Sequence, residues 1–459
     1  MLTTQQYGHK GVNVSLSRRK TTLGFAAGAA TLALALAGCS DSSDPESSST
    51  AGGTDGGSTS EEQITLTLAT FNQFGYSADS EGGADYAYDL IAEYQELNPN
   101  VTIVYNVADT SNTARENFFT KLGPGGLADV EAIEVDWLPE AMTYSDLLAD
   151  LTGGSPDGDW LQWKIDAATD ADGRLIGYGT DIGPEAICYN VDAIEAAGMD
   201  ASSDAMSAAI DGDWDNFMAL GKEYTDATGK GFYEENAAVL QAMIGQLEAP
   251  YEDPETDEII ALDNPEVKEV YDTLTAASAE GISAGLQQWG DDWAAGMANG
   301  DFAAMPCPSW MLGVIEGNAP DGNWDIANAF PNGGGNWGGS YLTVPAAGAN
   351  VEAATAFAAW LTAPEQQAKA FANVGAFPSS ESAAASEDVT TYTRAYFNDA
   401  PAGEIFAERA AAVAVAPYKG PHYFEVNDAM VNALRRVDEG VMTADESWAQ
   451  FEADVTAIG

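Results

Sequence analysis

From Ile64 onward the chain alternates short β-branched runs with amphipathic helical stretches, the pattern of an α/β fold. Ile64-Thr65-Leu66-Thr67-Leu68-Ala69 reads as a strand and gives way to a polar-aromatic loop, Phe71-Asn72-Gln73-Phe74-Gly75-Tyr76. Residues 85–98 then space Tyr88, Ile91, Ala92, Tyr94 and Leu97 along one helical face. Asn98-Pro99-Asn100 stops that helix, and 101–105 is a second strand. Strand, helix, strand with short joints is a βαβ unit and predicts a parallel sheet. A helix over 115–122 ends at Gly123-Pro124-Gly125-Gly126, and 129–135 reads as a buried strand. That strand delivers Glu134, Asp136 and Trp137 to its carboxyl end, the edge where open α/β sheets bind ligands.

The middle of the chain repeats the alternation. Residues 174–181 lead into a strand at 186–190, and Asp213-Trp214-Asp215-Asn216-Phe217 opens a helix running to 225. Helices over 265–279 and 291–299 precede a strand at 302–305, followed by the loop Pro306-Cys307-Pro308-Ser309-Trp310. Asn336-Trp337-Gly338-Gly339-Ser340 leads into a strand at 341–344, and 351–373 reads as one long helical stretch. No short repeat of the solenoid type is present.

Ahead of this body stands a different kind of segment. Arg18, Arg19 and Lys20 form a positive block, and the uncharged, alanine- and leucine-rich run 21–38 ends in Leu36-Ala37-Gly38-Cys39. That is the pattern of a secretory signal, too short and too alanine-rich for a comfortable spanning helix. Small residues before a cysteine at this point resemble the bacterial lipobox. The resemblance implies cleavage before Cys39 and lipid on its sulfur and amino group, which together anchor a protein stably. Residues 40–60, SDSSDPESSSTAGGTDGGSTS, hold no aliphatic side chain larger than alanine and cannot offset the entropy of ordering. As a flexible tether they reach about 25 Å root-mean-square.

The 421 residues from Cys39 onward are more than one ordinary core takes up and suit two domains. Loss of the leader removes Lys10, Arg18, Arg19 and Lys20 and no acid, taking the formal charge from −55 to −59. Nucleic acid and anionic lipid surfaces are excluded as main partners, since each needs a basic footprint. The same field steers anionic ligands away and leaves neutral ones unaffected. Only His422 would survive processing, so a histidine-based triad or metal site has one residue to build on. No catalytic residue, metal or cofactor is expected. Cys188 and Cys307 sit in apolar contexts, and both a disulfide and two buried thiols fit them.

Four phrases in order resemble the extracellular solute-binding proteins (family 1) of sugar ABC transporters. They are 177–190, ending in Tyr189-Asn190; Trp214, Asp215 and Phe217; Ala295, Gly296, Gly300, Ala303, Ala304, Met305 and Trp310; and 338–367, with Gly338-Gly339-Ser340 and Pro364-Glu365-Gln366-Gln367. More narrowly, 71–76, 97–99, 131–135, 179–184, 186–189, 307–311 and 336–340 are similar to actinobacterial lipoproteins that bind cellobiose and cello-oligosaccharides. The resemblance implies a type II fold of two α/β lobes with a ligand cleft between them. The implied division is 1–38 signal peptide, 39–60 tether, 61–180 with 343–377 as lobe 1, and 181–342 with 378–459 as lobe 2, joined near 179–183, 340–343 and 375–379. It further implies a monomer on the outer face of the cell membrane, held there through lipid on Cys39 alone, that serves ABC permease subunits.

A neutral sugar needs hydrogen-bonding partners for its hydroxyls and a flat ring against its C–H faces. Trp137, Trp310 and Trp337 stand at strand joints, and Phe74, Tyr76 and Trp289 lie in loops that could add to them. Asn72, Glu134, Asp136 and Asp181 can accept from hydroxyl pairs, with backbone groups of Gly338 and Ser340 beside them. Trp214 and Trp360, on helices among apolar neighbours, read as core. Malto- and xylo-oligosaccharides fit the same chemistry. A secreted glycoside hydrolase is the rival reading, but Glu134 and Asp136 at alternate positions of one strand are poorly placed to flank a glycosidic bond.

Overall fold

The first βαβ unit forms as its pattern predicts. In a computed structural model, which describes residues 62–72, 74–77, 86–155 and 158–459, strand β1 (Ile64–Phe71) runs parallel to β2 (Val101–Ala108) with Ile64 opposite Val101. The helix between them is Leu90–Leu97, started by the Asp89 side chain accepting from the Ala92 amide. β3 (Val130–Glu134) pairs in parallel on the other side of β1. Two short strands follow, β4 (Tyr178–Gly179) and β5 (Asp181–Ile182), then β6 (Glu185–Asn190), β7 (Ala304–Pro308), β8 (Trp324–Ala327), β9 (Ser340–Thr343) and β10 (Phe377–Pro378). They assemble as a five-stranded sheet in the order β2-β1-β3-β9-β4, a three-stranded sheet β7-β6-β8, and a ribbon of β10 with β5.

Three apolar cores follow from these faces. Beneath the five-stranded sheet lie Leu66, Leu68, Ile133 and Tyr341 with Phe357 and Leu361. β6 is buried along its whole length, so its alternate side chains serve two different cores. Ile187 and Tyr189 pack with Phe217, Leu240 and Met430, whereas Ala186 and Cys188 pack with Met305, Trp324 and Phe406. Cys188 and Cys307 are joined as a disulfide between β6 and β7, which decides between the two readings of these cysteines.

Among the elements that differ from the sequence expectation, three have a clear reason or limit. The stretch 351–373 is two helices, Val351–Leu361 and Pro364–Val374, because Pro364 lacks an amide hydrogen to continue the first and suits the opening turn of the second. The strand expected at 302–305 lies at Ala304–Pro308 and takes in Pro306 and Pro308; β7 is an edge strand, where prolines are tolerated. The helix expected over 85–98 is shorter, and residues 78–85 are outside the described residues. The signal segment 1–38, Cys39 and the tether 39–60 also lie outside them. Among the described residues no helix is long and apolar enough to cross a membrane.

Candidate ligand-binding site

Three chain crossings meet beside the carboxyl end of β3. The path from β4 through β5 to β6 leaves the five-stranded sheet, residues 335–340 return to it, and 375–378 lead into β10 alongside β5. Their contacts are close. The Gly183 amide donates to Asn336 Oδ1 at 2.9 Å, the Trp337 amide donates to Gly183 O at 2.8 Å, and Asn336 Nδ2 donates to Gly338 O at 3.0 Å. A Cβ at Gly183 would stand 1.8 Å from Trp337 O, so any side chain there must push the two segments apart. Gly183→Ala is therefore expected to cost about 1–3 kcal/mol of stability, the usual range for overpacking, measurable by urea denaturation. An unchanged midpoint and slope would contradict this account of the joint.

A cavity of about 700 Å³ opens at the junction. On one side Phe74 packs edge-on to Phe71 at 5.1 Å and tilts against Tyr76 at 5.6 Å. On another side three indoles are arrayed. Trp289 and Trp310 lie nearly parallel with centroids 6.2 Å apart, and Trp310 meets Trp337 edge-on at 5.5 Å. Trp310 Nε1 donates to Trp337 O at 3.0 Å, which fixes the middle ring. Trp289 has φ +69° and is 41% exposed, a costly backbone state for a large side chain.

Three carboxylates, Glu134, Asp136 and Asp181, also line the cavity. Asp181 accepts from the Ser340 amide at 3.0 Å and from Thr180 Oγ1 at 2.7 Å. Glu134 Oε2 accepts from the Asp136 amide at 3.1 Å, while Glu134 Oε1 is enclosed without a hydrogen-bond partner. Asp136 forms an ion pair with Lys419. Burial raises the Glu134 carboxyl well above its ordinary range, with the Asp136 charge adding and Lys419 opposing. Burial also raises Asp181, against the pull of Lys164. Lys164 is 1% exposed and donates to Ser340 O at 3.0 Å without lining the cavity itself.

Eleven of the twelve residues singled out from the sequence line this cavity: Asn72, Phe74, Tyr76, Glu134, Asp136, Asp181, Trp289, Trp310, Trp337, Gly338 and Ser340. Trp137 is placed elsewhere. It is fully buried against Phe118 and Phe119, and its indole N–H donates to Ser111 Oγ at 3.0 Å. Its position just beyond a strand end did not reveal which way the ring turns. The helix Tyr423–Asp438 supplies a wall that the sequence reading lacked: Phe424, Asn427, Asp428, Val431 and Arg435 all line the cavity. Their positions, at i, i+3, i+4, i+7 and i+11 from Phe424, mark one helical face and were a usable signal. Arg435 is already committed to Glu235 through two bonds of 3.0 Å. Among the described residues no group of three or more His, Cys, Asp or Glu is placed to hold a metal ion.

With flat rings and carboxylate acceptors together in its lining, the cavity offers what a polyhydroxylated ligand needs. The chain belongs to the bacterial extracellular solute-binding proteins, whose family model matches residues 89–396. Members of that family are binding proteins rather than enzymes. A crystal structure of an extracellular solute-binding protein of family 1 is 40% identical and has a TM-score of 0.73, covering 86% of this chain and 99% of that one. The binding protein of Bifidobacterium animalis subsp. lactis Bl-04 in complex with β-1,6-galactobiose is 19% identical with a TM-score of 0.69, over 85% of this chain and 96% of that one. The architecture is thus the two-lobed α/β fold of such proteins. The arabinooligosaccharide-binding protein of Bacillus subtilis (strain 168) is 25% identical over 76% of this chain and 77% of that protein. For the protein of the same name from Halalkalibacterium halodurans, at 25% identity, the match spans 52% of this chain and only 54% of the relative.

Proposed function

We propose that this chain is the substrate-binding lipoprotein of an ABC importer and captures a neutral oligosaccharide in the cavity beside β3, β5 and β9. The observation that carries the reading is that the Trp289, Trp310 and Trp337 array lines the same cavity of about 700 Å³ as Glu134 and Asp181. Rings of this kind take the C–H faces of pyranoses, and the acids take the hydroxyls. Support also comes from the B. subtilis relative, which binds arabinooligosaccharides, and from the galactobiose complex of the same fold. The lobes of the proposal are 61–180 with 343–377 and 181–342 with 378–459, closing about the three joints so that the ligand is buried and a new face is offered to the permease. Lipid on Cys39 and the tether behind it keep a monomer at the outer face of the membrane. The narrower proposal is a cello-oligosaccharide, on the seven stretches that resemble cello-oligosaccharide binders.

Isothermal calorimetry against cello-, xylo-, malto- and arabino-oligosaccharides of two to five units tests both levels. Saturable binding with dissociation constants in the micromolar range or below is expected, strongest for the cello series. Preference for another series overturns the narrower proposal, and no heat with any of them overturns the sugar reading. Release of reducing sugar by the purified protein would favour the hydrolase instead.

A further inference from the structure

The most exposed ring of the tryptophan array sits on the most constrained backbone. Trp289 is 41% exposed, whereas Trp310 and Trp337 are half-buried. Trp289 takes the third place of a tight turn that the Gly290 amide closes by donating to Gln287 O at 3.1 Å. With φ +69° this is the place that such turns normally give to glycine. A tryptophan keeps that backbone state only where its surroundings impose it. Trp293 packs on the ring at 5.3 Å, but the backbone is held from elsewhere. Buried Glu235 accepts from the Gln288 amide through Oε1 at 2.7 Å, and buried Glu234 accepts from Gln288 Nε2 at 3.0 Å. Glu235 is gripped in turn from the helix Tyr423–Asp438, where Arg435 Nε donates to Oε2 and Nη2 to Oε1, each at 3.0 Å.

We propose that Glu235, gripped by Arg435, is a positioning residue for the ligand: by holding the Gln288 amide it keeps Trp289 in line with Trp310. This rests on the oligosaccharide reading of the cavity. A guanidinium that donates two parallel bonds fixes a carboxylate in orientation as well as in place. The oxygen that Arg435 Nη2 orients is the one that takes the Gln288 amide. Arg435, Glu235, Gln288 and Trp289 thus form one connected path from the helical wall of the cavity to its indole platform, and all four line the cavity. Released from Glu235, the backbone at Trp289 relaxes toward negative φ, where a tryptophan is at ease. That change redirects the Cα–Cβ bond and takes the indole off Trp310.

The test is a double-mutant cycle read by calorimetry with the tetrasaccharide that wild type binds most tightly. Trp289→Ala is expected to weaken binding about two- to tenfold, the value of one aromatic contact. Glu235→Ala is expected to weaken it by a similar factor in the wild-type background and to have no further effect in the Trp289→Ala background. Unchanged affinity in Glu235→Ala overturns the proposal, and so does a loss that persists when Trp289 is already gone. Arg435→Lys, which keeps the charge and lacks the fork, runs the same cycle should Glu235→Ala fail to fold. A second measurement needs only substitutions at the exposed position and no ligand. Glycine ordinarily destabilises relative to alanine, but Trp289→Gly is expected to unfold at a higher urea concentration than Trp289→Ala. Alanine at least as stable as glycine there would show that the left-handed state is not imposed and overturn the proposal. Absence of binding by every sugar is the separate result that removes the oligosaccharide reading, and the comparison of glycine with alanine then still decides whether Trp289 is held.

Discussion

Trp310→Ala is expected to weaken oligosaccharide binding at least tenfold while the protein stays folded. Trp310 is the middle ring of three, stacked against Trp289 on one side and edge-on to Trp337 on the other. A buried tryptophan removes roughly 150–250 Å² from water, and a sugar covering about a third of one ring shields some 50–80 Å². At about 25 cal/mol per Å² that contributes roughly 1.3–2 kcal/mol, and 1.4 kcal/mol is a factor of ten. Further losses add to this. Trp337 O loses the 3.0 Å bond from Trp310 Nε1, and Trp289, already 41% exposed with φ +69°, loses its stacking partner. Calorimetry on protein with native circular dichroism reads the effect, and unchanged affinity would remove Trp310 from the site. Trp214→Phe is the fitting control. Trp214 lies in the core around Phe217 and bonds Gln246 Oε1 at 2.9 Å, away from the cavity, so its loss should lower stability and leave affinity alone.

How far such a site can be read from sequence depends on what kind of contact makes it. Asp181 was legible through the family resemblance of the Thr180-Asp181-Ile182-Gly183-Pro184 phrase, and Glu134 because a strand end is a local feature that local period fixes. Trp310 and Trp337 were legible for the same reason, flanked by proline and glycine at strand joints. Trp137 obeyed the same local rule and yet turned into the core, because a residue beyond a strand end is oriented by its partners, here Phe118 and Ser111, and not by the pleat. Lys164 left no mark at all. A lone lysine on a six-residue helix looks like any solvated lysine until the three crossings are packed over it. The wall formed by Tyr423–Asp438 was legible in principle from its spacing. Only the fold, however, brings residues about 290 positions after Glu134 to the same cavity.

The disulfide invites the other large effect. Cys188 and Cys307 are fully buried on neighbouring strands, and their bond closes a loop with a sequence separation of 119. In the chain-entropy picture a loop of this length restrains the unfolded chain by about 5 kcal/mol, and measured losses run about 2–5 kcal/mol. Cys188→Ala combined with Cys307→Ala is therefore expected to lower the unfolding free energy by about 2–5 kcal/mol in denaturant titrations. The single variants distinguish a bond from two packed thiols. If the bond is present, either substitution alone already releases the loop, and the second adds only the loss of one more buried sulfur. If two separate thiols were packed there, each substitution would cost only the loss of one buried sulfur, and neither would release a loop. Alkylation of the unfolded, unreduced chain gives an independent reading, since neither cysteine should be modified until a reductant is added. The bond ties the central strand β6 to the edge strand β7, and β7 ends next to Ser309 and Trp310. Ser309 N–H donates to Pro184 O at 3.1 Å and Ser309 Oγ accepts from the Phe377 amide at 3.3 Å, so this strand end is where two of the crossings are pinned. Loss of the disulfide is thus expected to loosen the platform beneath Trp310 and to weaken ligand binding less than Trp310→Ala does. A double variant with full stability and one that matches Trp310→Ala in affinity would each contradict this placement.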